Sequence, residues 1–205
     1  MSDIAFTESV KAVQSRRGSR AAYAKFEAKG GFHMKVTAEL VAFLAEVDTT
    51  YLATANAAGQ PYVQHRGGLK GFVRPLDETT LAFVDYVGNR QYITLGNLAE
   101  NDQAFLFLMD YANRRRVKVW GRARIVEADA NLVSRLTPRG YAAHAEQVIL
   151  FQVKAWDMNC SRHIPQKLDA ADVAETLAKL QLRIERLEGE NSRLRSAITV
   201  PGGEP

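Results

Sequence analysis

The sequence predicts a mainly β fold of the α+β class with helices at its flanks, and three observations carry that prediction. Runs of β-branched and aromatic residues recur from residue 49 to residue 156, parted by turn chemistry. Helix-forming composition is concentrated before residue 49 and in a short segment among the strand-like runs. A seven-residue apolar repeat occupies the C-terminal tail. About six antiparallel strands, joined mostly by short turns and interrupted by one helix, point to a closed barrel, with a two-sheet sandwich as the structural rival.

The elements follow in order. Residues 7–28 contain no proline and, as glycine, Gly18 alone; they are rich in Ala, Lys, Arg and Glu, and read as helix up to Gly30-Gly31. Thr37 has the chemistry of an N-cap for a short helix whose apolar side is Leu40, Val41, Phe43 and Leu44. TTYLATA (49–55) and PYVQHR (61–66) form a first hairpin around Asn56 to Gly59. LKGFVR (69–74) and TLAFVDY (80–86) form a second around a PLDE turn. The stretch DYVGNRQYITLGNLAEND (85–102) leaves a strand, turns at Gly88 and enters a helical pattern. QAFLFLMD (103–110), RRVKVWGRARIVEA (115–128) and EQVILFQVKAW (146–156) supply the remaining strands. Residues 129–145 read as a short helix and a loop around Pro138-Arg139-Gly140.

In the tail, Val173, Leu180, Leu187 and Leu194 occupy d positions and Leu177, Ile184, Asn191 and Ile198 occupy a positions. One Asn at an a position among Leu d positions favours a parallel two-stranded coil. Arg183 would then face Glu188 of a second copy, and Glu190 would face Arg195, both pairs of opposite sign. The rival arrangement packs the same stripe on the chain's own barrel.

Composition narrows the function classes. Apolar residues make up 46% and charged residues 24%, and 205 residues suffice for one well-buried domain with an appendage. No apolar run nears the roughly 20 residues that cross a bilayer, and MSDIAFTESV lacks a basic region leading into an apolar core. A cytoplasmic protein with no membrane partner is expected. One cysteine, Cys160, excludes an internal disulfide. A net charge of +4, with clusters at Arg16-Arg17 with Arg20 and at Arg114-Arg115-Arg116, is too mild and broken for a nucleic-acid face. His33, His65, His144 and His163 show no metal-ligand spacing, so no metal is expected. Cys160 and His163, three residues apart, do not by that spacing make a nucleophilic pair.

Three polar constellations remain. Gln64, His65 and Arg66 crowd a strand end before Gly67-Gly68, where they could meet a surface carboxylate or a flat hydrogen-bonding ligand. Asn89, Arg90 and Gln91, with Thr94 and Asn97 behind them, stand at a helix entrance. There, free N–H groups and the helix dipole favour an anion, and Arg90 adds a planar fork; the plain alternative is an Asn89 cap beside a solvated arginine. Arg116, Lys118 and Trp120 share one face of a strand, with Arg115, Val117 and Val119 on the other, a basic-aromatic face better suited to a ligand or interface than to a core.

These residues lie in segments that resemble the pyridoxamine 5'-phosphate oxidase-related, FMN-binding split-barrel family. The carrying segments are DTTYLATANAAGQPYVQHRGG, GFVRPLDETTLAFVDYVGNRQYITLGNLAEND, AFLFLMDYANRRRVKVWGRARIVE and WDMNCSRHIP. The resemblance implies a homodimer of six-stranded antiparallel split barrels with FMN in two clefts at the subunit interface, FAD or a deazaflavin being less favoured. Carried onto this chain, Gln64, His65 and Arg66 line the isoalloxazine side and Asp85 lies beside the ring. Arg90 and Gln91 match the pair that holds the FMN phosphate, with Gln91 where a lysine is usual and Thr94 supplying part of the site. Arg116 sits where a flavin-contacting Gln is common. The implied organisation is N-terminal helices on the barrel (1–47), an FMN-binding split-barrel domain (48–168) and a C-terminal heptad helix (169–198).

The expected function is an FMN-dependent oxidoreductase that moves electrons or hydride to or from a small-molecule redox substrate. The alternative is a non-enzymatic dimeric flavin- or haem-binding carrier or sensor. No residue demands a general acid-base role, His65 being the candidate.

Overall fold

The computed structural model describes residues 3–137, 141–159 and 162–198. The loop expected at Pro138-Arg139-Gly140 and the Cys160 half of the Cys160/His163 pair lie outside them. The chain divides into two compact units, Met1–Ile164 and Pro165–Pro205.

The N-terminal region forms two helices where the sequence reads as one. α1 (Glu8–Arg16) begins at Thr7, whose hydroxyl accepts from the Val10 N–H, and α2 (Arg20–Ala28) restarts after Gly18 takes a φ of +79°. That left-handed turn is open to glycine and breaks the helix. Phe26 and Phe6 pack on Phe32, which stacks on Trp120 at a centroid distance of 5.1 Å. His33 then pairs with Trp156 through backbone bonds of 3.1 and 2.8 Å, tying this region to the sheet. α3 (Ala38–Glu46) starts at Thr37 as expected and buries Leu40, Phe43 and Leu44, but Val41 turns to solvent.

The strands are β1 (Thr49–Ala55), β2 (Pro61–Gly67), β3 (Arg74–Pro75), β4 (Thr80–Tyr86), β5 (Gln103–Asp110), β6 (Arg115–Glu127) and β7 (Ala145–Asn159). They form one antiparallel sheet in the order β2-β1-β5-β6-β7-β4-β3. This corrects the closed, six-stranded expectation: seven strands pair among the described residues, and no ladder joins β2 to β3. Both edge strands carry a proline, Pro61 and Pro75, which cannot donate to a further ladder. Residues 69–74 are not the expected strand. Gly71, at a φ of +78°, turns the chain, Phe72 and Val73 plug the core, and only Arg74 and Pro75 pair with β4.

One core cluster takes side chains from β1, β4, β5, β6 and β7, among them Leu52, Phe83, Leu106, Val119 and Phe151, together with Leu40, Phe43 and Leu44 of α3. The sheet therefore curls around a shared interior. α5 (Ala130–Leu136) covers the other face of β4 and β7 through Leu136, Ala82, Val84 and Val148. β6 alternates as predicted, with Val117 and Val119 buried and Arg116, Lys118 and Trp120 opposite. The β6–β7 register slips at Gly121, where a Cβ would overlap the Gln152 carbonyl oxygen. The last two helices are α4 (Ile93–Glu100) and, in the second unit, α6 (Ala170–Ile198). No helix of the described residues is long and apolar enough to cross a membrane.

Candidate functional site

A small open cleft, with water-accessible room of about 40 Å³, lies where the end of β4 turns into α4. β2 supplies Gln64 and Arg66, β4 supplies Asp85 and Tyr86, the turn supplies Gly88 to Tyr92, α4 supplies Thr94 and Leu95, and β7 supplies Glu146.

The floor is a buried polar network. Arg66 is ion-paired to Asp85 through Nη1 and Oδ1, with side-chain exposures of 14% and 6%. The second Asp85 oxygen accepts from Gln147 Nε2 at 2.8 Å, across the register pair Asp85–Gln147. The Arg66 Nε is buried without a hydrogen-bond partner among the described residues. A guanidinium with one donor unspent at a cleft wall has capacity left for an acceptor. Gln64 accepts from the Thr94 hydroxyl at 2.8 Å, which joins β2 to the first turn of α4. Asn97, one turn further, donates to Thr54 at 3.0 Å and fixes the helix on β1.

The mouth is a strained turn. Arg90 and Tyr92 have φ values of 58° and 53° and flank Gln91, a conformation non-glycine residues rarely adopt and which concentrates at binding sites. Asn89 does not cap α4. Its Oδ1 accepts from the Gln91 N–H at 3.3 Å, a local turn, while Tyr92 is the N-cap residue and provides no side-chain bond to the first helical N–H groups. The helix entrance thus keeps uncapped donors beside the exposed Arg90 guanidinium. The Tyr92 hydroxyl donates to Glu146 at 2.7 Å, and that bond holds the phenol above its ordinary pKa.

The structure gathers Gln64, Arg66, Asp85, Asn89, Arg90, Gln91 and Thr94 around this cleft. It places four other expected residues elsewhere. His65 lies on the opposite face of β2, against Tyr51 at a centroid distance of 5.7 Å, because adjacent strand residues point to opposite faces. Asn97 is buried behind the helix. Arg116 and Lys118 stand on β6, outside the cleft lining. The Arg116 Nε is likewise buried without a partner among the described residues. Lys118 lies 3.6 Å from Asp157, and burial pushes the lysine below and the carboxyl above their ordinary pKa values. The sequence reading missed Tyr86, Tyr92 and Glu146. Glu146 is the residue skipped when the β4–β7 register shifts between Asp85 and Tyr86. Such a bulge re-aims a side chain and leaves no signature in periodicity. Among the described residues no three His, Cys, Asp or Glu side chains gather as a metal site requires.

A family model described as pyridoxamine 5'-phosphate oxidase matches residues 36–160, which include every cleft residue. No curated protein matches the chain. Among solved structures of similar fold is HupZ of Group A Streptococcus, at 16% identity over 65% of this chain and 99% of that one, with a TM-score of 0.49. General Stress Protein 26 from Bacillus anthracis str. Sterne shows 14% identity over 58% and 91% of the two chains, with a TM-score of 0.45. An FMN-binding protein from Syntrophomonas wolfei subsp. wolfei shows 10% identity over 71% and 97%, with a TM-score of 0.44. At such identities none of these likenesses bears on function.

Proposed function

The chain belongs to the pyridoxamine 5'-phosphate oxidase family, and on that premise we propose that it is an FMN-dependent oxidoreductase built on a split barrel. The observation that carries this reading is one juxtaposition. An exposed arginine and an uncapped helix entrance stand at the mouth of a cleft whose floor holds a buried guanidinium with an unspent donor. The first pair suits a phosphate; the second suits the acceptor atoms of a flat heterocycle.

In this proposal Arg90 and the first N–H groups of α4 hold the phosphate, with the Thr94 hydroxyl positioned by Gln64. Arg66, fixed by Asp85, offers its free Nε–H to the ring. Bound FMN supplies the redox chemistry. Asp85 and Gln147 hold the Arg66 side chain in place at the floor. A homodimer through the outer face of β1, β2 and β5 is supported by the apolar side chains exposed or half-buried there, Tyr51, Val63, Phe105 and Phe107. Arg116 and Lys118 on the adjoining strand would then serve a cleft completed by the second copy.

A carrier or sensor that binds flavin without turnover is favoured by one observation: both carboxylates of the cleft are engaged, Asp85 by Arg66 and Gln147, and Glu146 by Tyr92. Purified protein is expected to absorb as a flavoprotein, or to bind added FMN at micromolar concentration. Colourless protein that binds none rules out both readings. Steady-state oxidation of reduced nicotinamide with an acceptor then separates the enzyme from the carrier.

A further inference from the structure

We propose that α6 pairs with α6 of a second copy of this chain as a parallel, in-register, two-stranded coiled coil. The helix runs 29 residues and buries none of its side chains. Its apolar a and d residues, Leu177, Leu180, Ile184, Leu187 and Leu194 among them, are between 38% and 84% exposed. Surface pairs such as Glu175–Lys179, at 2.5 Å, and intrinsic propensity contribute little to a helix that carries Gly189 in its interior. A single strand of this kind is marginal in water, and most helical stability comes from covering the apolar face.

Three features select a second copy as the cover. Asn191 is the one polar residue among the a and d positions from Val173 to Ile198. In-register parallel pairing sets it against its own counterpart, where two amides bond each other. Antiparallel or shifted pairing sets it against an aliphatic side chain and buries it unpaired. In the single chain its Oδ1 accepts from Arg195 Nε at 3.1 Å, which leaves the NH₂ group to donate across the seam.

The flanking charges match in the same register. Arg183 meets Glu188 of the other copy and Glu190 meets Arg195, so each seam edge carries opposite signs. The helix as a whole balances five acidic against five basic side chains. It therefore carries no net positive charge to draw it to anionic lipid.

The proposal does not rest on the flavin reading, and one experiment keeps the two apart. In a full-length Cys160→Ser chain, Leu194→Cys places a thiol at a d position and Ser196→Cys places one on the outer face. After oxidation at micromolar concentration, Leu194→Cys is expected to run chiefly as a disulfide-linked dimer and Ser196→Cys to remain unlinked. Facing d positions bring their Cβ atoms together, whereas outer positions point apart. Antiparallel pairing would hold the two Leu194→Cys thiols far apart along the axis, so linking also fixes direction. Neither variant linking, or both linking alike, overturns the proposal. FMN binding measured on the same samples reports on the cleft alone.

Discussion

Arg66 and Arg90 line one cleft, and the chain treats them in opposite ways. Arg66 lies at the floor, largely buried, its charge answered by an Asp85 that Gln147 also holds. Arg90 stands at the mouth on a left-handed turn residue, exposed and without an ion pair among the described residues. A buried charge must be compensated by the chain itself, because desolvation leaves it costly otherwise. An exposed one can wait for a ligand. The floor is thus completed by folding and the mouth by binding, and the two arginines should fail in different assays.

The largest expected effect breaks the floor. Arg66→Met leaves the Asp85 carboxylate buried without its cation and is expected to cost about 3–5 kcal/mol of stability in urea unfolding. Arg90→Met, an exposed substitution, is expected to stay within about 0.5 kcal/mol of the parent. Equal losses at the two positions would erase the distinction between floor and mouth.

This division was only half legible in the sequence. The strand–turn–helix order, the Thr37 cap and the β6 alternation followed from propensity and period, so the mouth could be located from Gly88 and the helical pattern behind it. Gln64 and Arg66 were also legible, two apart on one strand. His65 between them belonged by the same period to the opposite face, and grouping it with its neighbours set chain proximity above the pleat. The Arg66–Asp85 pair spans 19 residues and the Asp85–Gln147 bond 62, distances over which local pattern carries no information. Nor does a sequence display a register slip, and Glu146 enters the cleft through one. The edges at β2 and β3 were foreshadowed by Pro61 and Pro75. The collapse of residues 69–74 into a core plug was not, because Phe72 and Val73 look equally apolar in a strand.

The next effect reads the mouth by ligand. Arg90→Ala is expected to weaken FMN by about 1.5–3 kcal/mol, the range for a lost charge-assisted contact. Flavin fluorescence titration measures it. The loss should shrink as salt screens the parent's exposed charge. Unchanged affinity would take the phosphate role from Arg90 and leave it to the entrance of α4.

The smallest effect sharpens the mouth itself. Glu146 brings a carboxylate toward the proposed phosphate site, and its bond from Tyr92 raises the phenol pKa. A raised folded pKa means that the contribution of this bond is complete below the ordinary tyrosine value. It is lost as pH rises through the folded one. Glu146→Gln should therefore do two things together. It should bring the Tyr92 phenol back toward its ordinary pKa, seen as tyrosinate absorbance that disappears in a Glu146→Gln/Tyr92→Phe chain. It should also tighten FMN severalfold, since a like charge leaves the mouth. Tyr92 is exposed and Glu146 only half-buried, so solvent screens the pair, the change stays modest and the floor keeps its stability. Tighter FMN with an unmoved phenol would separate the charge from the hydrogen bond; a moved phenol with unmoved FMN would place the phosphate away from Glu146. Only the paired response keeps Arg90, α4 and Glu146 in one electrostatic neighbourhood, the condition for treating the mouth as a single binding element distinct from the floor.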